Sequence, residues 1–327
     1  MIIRRIITLG SLMLITPSAL ALAPLIFLTA YAASFSSRYI TAPHAVAFLY
    51  GYLWFEWRGL MRLTRAWLFA KDHAAMLERT RAVQFWWARQ LLDLGIKIFR
   101  IKISVQGADV VQGRCAIVAS RHSSMGDTVL PLLFFGKARE EGLRYILKQE
   151  LLLVPCLDIG GNRLPNVFVD RSGTDTNAAL EEVRALVSTA GDDESVLIYP
   201  EGTRFTRKKQ DQLKANKPQL IDQLDRWPDL LPPRLGGITA MLEENPGKDL
   251  VFLAHVGFEG SANIPDLLNG GWLHQEVLLE FWRVPFAELP KQDFQEFLFG
   301  HWDQMQATVA RLQQQIDDNA AAATPLN

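Results

Sequence analysis

Cysteine is nearly absent from this 327-residue chain, which has only Cys115 and Cys156. Two cysteines supply neither a disulfide framework nor a zinc cluster. The histidines, at positions 44, 73, 122, 255, 274 and 301, are scattered without metal-ligand spacing, so no metal is expected. Net charge is also close to absent. The 34 Lys and Arg against 35 Asp and Glu leave a formal charge of -1, which gives no global field for nucleic acid. Internal repeats, a P-loop, a dinucleotide fingerprint and a G-x-S-x-G nucleophile elbow are missing too. The Gly160-Gly161 pair alone does not signal a cofactor, and none is expected.

Long apolar runs, by contrast, are present at the amino end. After Arg4-Arg5 the chain carries no charge for the 28 residues Ile6–Ala33, more than the roughly 20 helical residues that cross a bilayer core. Arg4-Arg5, the apolar run and Ala19-Leu-Ala-Leu-Ala23 also imitate a cleavable secretory signal. The run continues ten residues beyond that small-residue site, which favours an uncleaved anchor. A second apolar segment, Tyr39–Trp57, ends in Tyr50, Tyr52, Trp54, Phe55 and Trp57, followed by Arg58, Arg62 and Arg65. Aromatic residues settle at membrane interfaces and arginines stay on the cytoplasmic side. Residues 1–70 are therefore expected to form a membrane anchor of one or two transmembrane or interfacial helices, a hairpin that returns the chain to the cytoplasmic side, at an inner membrane. The alternative for the second segment is an amphipathic helix packed on a soluble domain.

From residue 71 to 316 the composition is that of an α/β domain. Apolar, β-branched runs recur at Ile96–Val105, Cys115–Ala119, Arg144–Leu147, Asn166–Val169, Ser195–Tyr199, Leu250–His255 and Glu276–Trp282, with helix-like stretches at Asn177–Thr189 and Asp293–Ile316. That alternation argues a central, mostly parallel or mixed sheet flanked by helices. The Ala-rich, polar residues 317–327 are expected to form a disordered tail.

Chemistry concentrates in Ser120-Arg-His-Ser-Ser-Met-Gly-Asp-Thr128. His122 and Asp127 are five apart, an offset wrong for one helix face, so the pair needs a turn. The run before His122 reads as a buried strand, and Asp127 opens an apolar stretch that reads as a helix start. Strand ends are where α/β sheets place active sites. A second segment, Val196-Leu-Ile-Tyr-Pro-Glu-Gly-Thr-Arg204, is a strand running into a glycine turn that bears an acid and a base. Each segment alone is compatible with chance pairing or an ordinary turn.

Together they resemble the glycerolipid acyltransferase family that includes the 1-acylglycerol-3-phosphate acyltransferases, whose first motif is H-x-x-x-x-D and whose third is P-E-G-T-R. Its second motif is similar to Lys148-Gln-Glu-Leu-Leu-Leu-Leu-Val-Pro155 with Gly160 and Phe168-Val-Asp-Arg171. A weaker fourth block is Leu250–Gly257, and Leu231-Pro-Pro-Arg-Leu-Gly-Gly237 resembles an element of the long-chain lysophospholipid and lysocardiolipin branch. The resemblance spans roughly residues 85–285. Arg121 stands where the family often has a small polar residue, and His255 where the branch often has an acid.

The resemblance implies an enzyme in which His122 is a general base and Asp127 orients it, while Lys148, Arg171 and Arg204 bind the acceptor phosphate, and Glu201, Gly202 and Thr203 support the motif. Acyl-CoA or acyl carrier protein is then a co-substrate, a lysophospholipid the acceptor and membrane lipid a partner. An Arg171–Glu201 or Asp170–Arg204 ion pair that only holds the turns is the alternative for those residues. The basic run Arg204-Phe-Thr-Arg-Lys-Lys209 would meet anionic headgroups or coenzyme A phosphates, or form a solvated loop. Three other readings stand beside acyl transfer to 1-acylglycerol 3-phosphate. One is a different acceptor, such as lysophosphatidylglycerol, lysophosphatidylethanolamine or lysocardiolipin; the others are a hydrolase and a non-catalytic lipid-binding membrane protein.

Overall fold

A computed structural model describes residues 1–169, 176–261 and 264–323. The chain forms two compact units. The first comprises Met1–Arg100, Arg144–Asp175 and Ile264–Leu273, and the second Ile101–Leu143, Thr176–Asn263 and His274–Asn327.

In the first unit lie α1 (Ile2–Ala33), α2 (Ala42–Leu68), α3 (His73–Phe99), α4 (Pro155–Arg163) and α9 (Ile264–Leu268), with most of β3 (Gly142–Lys148) and β4 (Val167–Val169). Strands β3 and β4 pair in parallel, Ile146 opposite Val167. Helix α1 is apolar throughout yet buries only Leu12 and Ala30. It is also the one described helix long and apolar enough to cross a membrane. Pro17 and Pro24 lie inside it. The backbone carbonyl of Leu12 nevertheless gains a second partner, the Thr16 hydroxyl at 2.8 Å. Helix α2 does not stop after the aromatic segment but continues through Arg58, Arg62 and Arg65 to Leu68. Leu12, Leu60, Leu63, Val83 and Cys156 form a buried cluster that ties α1, α2, α3 and α4 together. Gly59 permits this approach, since a Cβ there would sit 2.6 Å from the Cys156 sulfur.

Asp72 caps α3 by accepting the Ala75 amide at 2.7 Å. The helix then runs to Phe99, so the expected strand at Ile96–Val105 is confined to β1 (Lys102–Gln106). Leu92, Gly95 and Phe99 are buried at helical spacing, and that one-sided burial outweighs the β-branched residues between them. Because α3 belongs with α1 and α2, the first unit runs to residue 100 rather than 70.

In the second unit lie β1, β2 (Ala116–Ser120), α5 (Thr176–Ser188), β5 (Glu194–Ile198), α6 (Arg207–Asn216), α7 (Ile221–Arg226), α8 (Leu235–Glu243), β6 (Asp249–Val256), β7 (Glu276–Val284) and α10 (Phe294–Ala323). Its strands form a mixed sheet in the order β1-β7-β6-β2-β5. Strand β2 is parallel to both β5 and β6, β7 is antiparallel to β6, and β1 is parallel to β7. Strands β2, β5 and β6 are buried along their whole length, as parallel strands flanked by helices must be. Helix α10 rests on β6, with His301 stacked on Phe252 at 4.8 Å between ring centres. It continues to Ala323, past the point where a disordered tail is expected at 317. Alanine is the strongest helix former, and Gln313 and Gln314 bond Asp317 and Asp318 one turn on.

Candidate active site

Three parallel strands point their carboxyl ends the same way, and the second unit's polar residues gather there. Strand β2 ends at Ser120, and residues 121–124 leave it fully inside the protein. A 3-10 turn over Gly126–Val129 brings the chain back, so that the Asp127 carboxylate faces the His122 ring. His122 Nδ1 lies 2.9 Å from Asp127 Oδ1. Asp127 Oδ2 accepts the backbone amides of Ser123 and Ser124 at 2.7 and 2.8 Å. The five-residue offset thus closes a loop around one carboxylate.

Asp127 is only 1% exposed. Burial pushes its carboxyl up, but the His122 imidazole by charge and hydrogen bond, then His255 and the Ser124 amide, hold it below the ordinary value. An ionised Asp127 is an acceptor only, so Nδ1 of His122 carries the proton and Nε2 presents its lone pair. Nε2 has no hydrogen bond among the described residues. The Tyr199 ring lies against the imidazole at 4.4 Å between centres.

Strand β5 delivers the second segment. Glu201 is buried and accepts the His122 amide at 2.8 Å through one oxygen and the Leu231 amide at 3.1 Å through the other. It therefore joins the two strand exits through backbone amides. Burial pushes Glu201 up to about 7, against the Arg121 charge and the two amides that pull it down. Phe205 returns the connection, its amide donating to the His122 carbonyl at 2.7 Å. Gly202 has a φ of +68, and a Cβ there would meet Arg234 Cδ at 2.7 Å. That Arg234 belongs to the Leu231–Gly237 element. Thr203 accepts a hydrogen bond from Lys209 at 2.7 Å, and Arg204 is partly exposed with its carbonyl on the same lysine at 3.0 Å.

Strand β6 contributes groups that motif spacing did not mark as functional. His255 is fully buried, its Nε2 3.0 Å from the Arg121 carbonyl and 3.4 Å from Asp127 Oδ2. Burial holds it below the usual histidine range, and its Nε2–H donates to the Arg121 carbonyl beside Asp127. Arg121 is buried as well. Its guanidinium donates to the His255 carbonyl at 2.5 Å, to the Asp229 carbonyl at 3.0 Å and to the Glu259 carboxylate. Burial pushes Glu259 up, but Arg121 outweighs it and keeps the carboxyl ionised below its ordinary value. A buried arginine ahead of the histidine thus stitches the ends of β2 and β6 together.

Of the other sequence-derived candidates, Lys148 ends β3 in the first unit, and Arg171 lies outside the described residues, as does Asp170. Among the described residues no group of three or more His, Cys, Asp or Glu is arranged to hold a metal ion.

Residues 102–243, which hold His122, Asp127 and the Glu201 turn, match the family model described as Acyltransferase. The chain contains an acyltransferase-family domain over those residues. Among curated proteins it is similar to mouse (Mus musculus) lysocardiolipin acyltransferase 1, 23% identical over 217 residues that cover 63% of this chain and 56% of that protein. The chain therefore spans about half the length of that relative. Among solved structures it shares the fold of the 1-acyl-sn-glycerophosphate acyltransferase PlsC from Thermotoga maritima. The TM-score is 0.58 at 18% identity, covering 85% of this chain and 98% of that one.

Proposed function

We propose that this acyltransferase-family chain is a membrane-bound enzyme that moves a fatty acyl group from acyl-CoA, or from acyl carrier protein, to the free hydroxyl of 1-acylglycerol 3-phosphate. The observation that carries the reading is the His122 ring held on Asp127 through Nδ1 at 2.9 Å, with Nε2 open. Nε2 takes the hydroxyl proton as the acceptor oxygen attacks the thioester carbonyl. The C–O bond forms, the C–S bond breaks, and the imidazolium returns its proton to the departing thiolate. Asp127 stabilises the imidazolium meanwhile, as the carboxylate does in Ser-His-Asp enzymes. A positioned base of this kind contributes about 10²–10⁴-fold. No enzyme nucleophile or resident cofactor is required. Arg204, with Lys148 and Arg171, is assigned to the acceptor phosphate, a role suited to guanidinium forks.

The anchor is α1, whose apolar surface is exposed along its length. Arginines at its start and at the end of α2 support a hairpin with both ends on the cytoplasmic face of an inner membrane, where thioester donors are available.

A second acceptor class is favoured by the mouse relative's name and by the Leu231–Gly237 element, whose Arg234 packs on Gly202. Lysophosphatidylglycerol, lysophosphatidylethanolamine and lysocardiolipin belong to that class. The deciding experiment measures thiol release from oleoyl-CoA and from oleoyl carrier protein against a panel of these lysolipids, with chromatography of the product. A diacyl product with 1-acylglycerol 3-phosphate supports the first reading, and a preference for another lysolipid replaces it. Release of free fatty acid assigns a hydrolase. No turnover with either donor leaves a lipid-binding protein.

A further inference from the structure

Helices α1 and α2 run antiparallel. The Tyr50 hydroxyl donates to the Ala19 carbonyl at 2.6 Å, and Trp57 Nε1 to Thr16 Oγ1 at 2.9 Å, so later positions of α2 meet earlier positions of α1. Arg58, Arg62 and Arg65 therefore come to the same end as Arg4 and Arg5. Almost all of these guanidinium groups are engaged. Arg4 and Arg5 share the buried Asp158 carboxylate of α4, at 2.7 and 3.2 Å. Arg62 lies over the Trp86 ring at 4.1 Å, and Arg58 between Trp54 and Trp86. Arg65 is the exception, with no side-chain partner among the described residues.

Arg65 opens onto a groove of about 480 Å³ within this unit, walled by Leu9, Trp57, Met61 and Ile159, with Thr64 beside the arginine. Ligand pockets commonly measure ~300–1,000 Å³. The wall is almost wholly apolar and is continuous with the exposed apolar surface of α1. A peptide segment suits it poorly, because Thr64 and Arg65 are too few to satisfy a backbone's amides and carbonyls. An acyl chain carries no such groups, and a phosphodiester at its head complements the Arg65 guanidinium, which has no side-chain partner among the described residues.

We propose that this groove binds one anionic phospholipid of the membrane, with an acyl chain against Leu9, Trp57, Met61 and Ile159 and the phosphate on Arg65. The inference rests on the membrane-bound reading above. The lipid is proposed as a resident partner in addition to the acceptor, since none of these residues is among those assigned to the acceptor phosphate.

The test uses the full chain in nanodiscs of phosphatidylcholine with increasing phosphatidylglycerol, and reads lipid retained per protein by native mass spectrometry after detergent exchange. Flotation with pure phosphatidylcholine vesicles is run in parallel. Expected is retention of one phosphatidylglycerol in preference to phosphatidylcholine, reduced about fivefold in Arg65→Gln, the worth of one arginine near an anionic headgroup. Met61→Trp fills the groove at an exposed position and should abolish retention with the charge intact, while Lys291→Gln, on the other unit, should change nothing. Flotation on phosphatidylcholine together with retention that shows no preference for phosphatidylglycerol, or with retention in Arg65→Gln and Met61→Trp equal to that of the parent, overturns the site and leaves the membrane reading standing. Failure to float overturns both.

Discussion

Replacing Asp127 by asparagine changes one atom's chemistry at the centre of the site, and the surrounding hydrogen bonds fix which way the new amide turns. With its oxygen toward Ser123 and Ser124, the side chain keeps both backbone bonds, now at 2.7 and 2.8 Å. Turned the other way it would aim an NH2 at two amide donors in a fully buried space, and each unmade bond there costs about 1–3 kcal/mol. The first orientation wins and places the NH2 against His122 Nδ1. Nδ1 must then accept, which moves the ring proton to Nε2, the atom that has to take the hydroxyl proton. In Ser-His-Asp enzymes the same tautomer error lowers kcat by about 10⁴, or about 5.5 kcal/mol of barrier. Steady-state thiol release at saturating lysolipid should show a fall of that order, with KM for the acceptor nearly unchanged and a melting curve that reports an intact fold. A fall of less than about tenfold would refute the tautomer argument and demote His122 from base to binding residue.

Glu201 sets a pH dependence of stability. Its folded carboxyl, pushed up to about 7 from an ordinary 4.5, binds its proton more tightly than the unfolded chain does, so its contribution is fullest below pH 4.5 and declines as pH rises to about 7. The loss across that window is roughly 3 kcal/mol. Urea titrations at pH 5 and pH 8 should show a smaller difference in Glu201→Gln than in the parent, and equal differences would contradict the assignment. Gly202→Ala forces a Cβ into the left-handed region and against Arg234, which costs about 1–2 kcal/mol. Calorimetry should give a Tm lower by roughly 2–8 °C, and acyl transfer should fall with it. His255→Leu removes the imidazole that donates to the Arg121 carbonyl at 3.0 Å and leaves that buried carbonyl without this donor beside Asp127. A buried carbonyl left without its donor costs about 1–3 kcal/mol, and with about 1.4 kcal/mol of that felt at the His122–Asp127 turn kcat is expected to drop about tenfold with KM unchanged; a change in KM alone would assign His255 to substrate binding.

What the sequence makes legible is what lies close along it. His122 and Asp127 are five apart, and their pairing follows from a strand end and a turn. Gly202 is marked by its place in a glycine turn. Glu201 is also visible as an acid at a strand exit, but its partners are backbone amides 79 and 30 residues away, fixed only when β2 and β5 pair. The same holds for His255 and Arg121, whose mutual bonds span 134 residues across the β2–β6 register. A buried histidine against a carboxylate has no spacing signal, although its place in an otherwise apolar strand marks it as an oddity. The strands from Cys115 onward fall where alternation and β-branching put them. Ile96–Phe99 is helix because burial at Leu92, Gly95 and Phe99 decides between two periodicities that the short run alone leaves equal.

The most direct measurement is acceptor-dependent thiol release from oleoyl-CoA or oleoyl carrier protein by the detergent-solubilised chain and by its His122→Ala variant, with the lipid product separated alongside. Release that requires a lysolipid, yields the diacyl product and vanishes in His122→Ala without loss of membrane association is the expected result. Undiminished turnover in His122→Ala would contradict the general-base assignment at the centre of the proposed function.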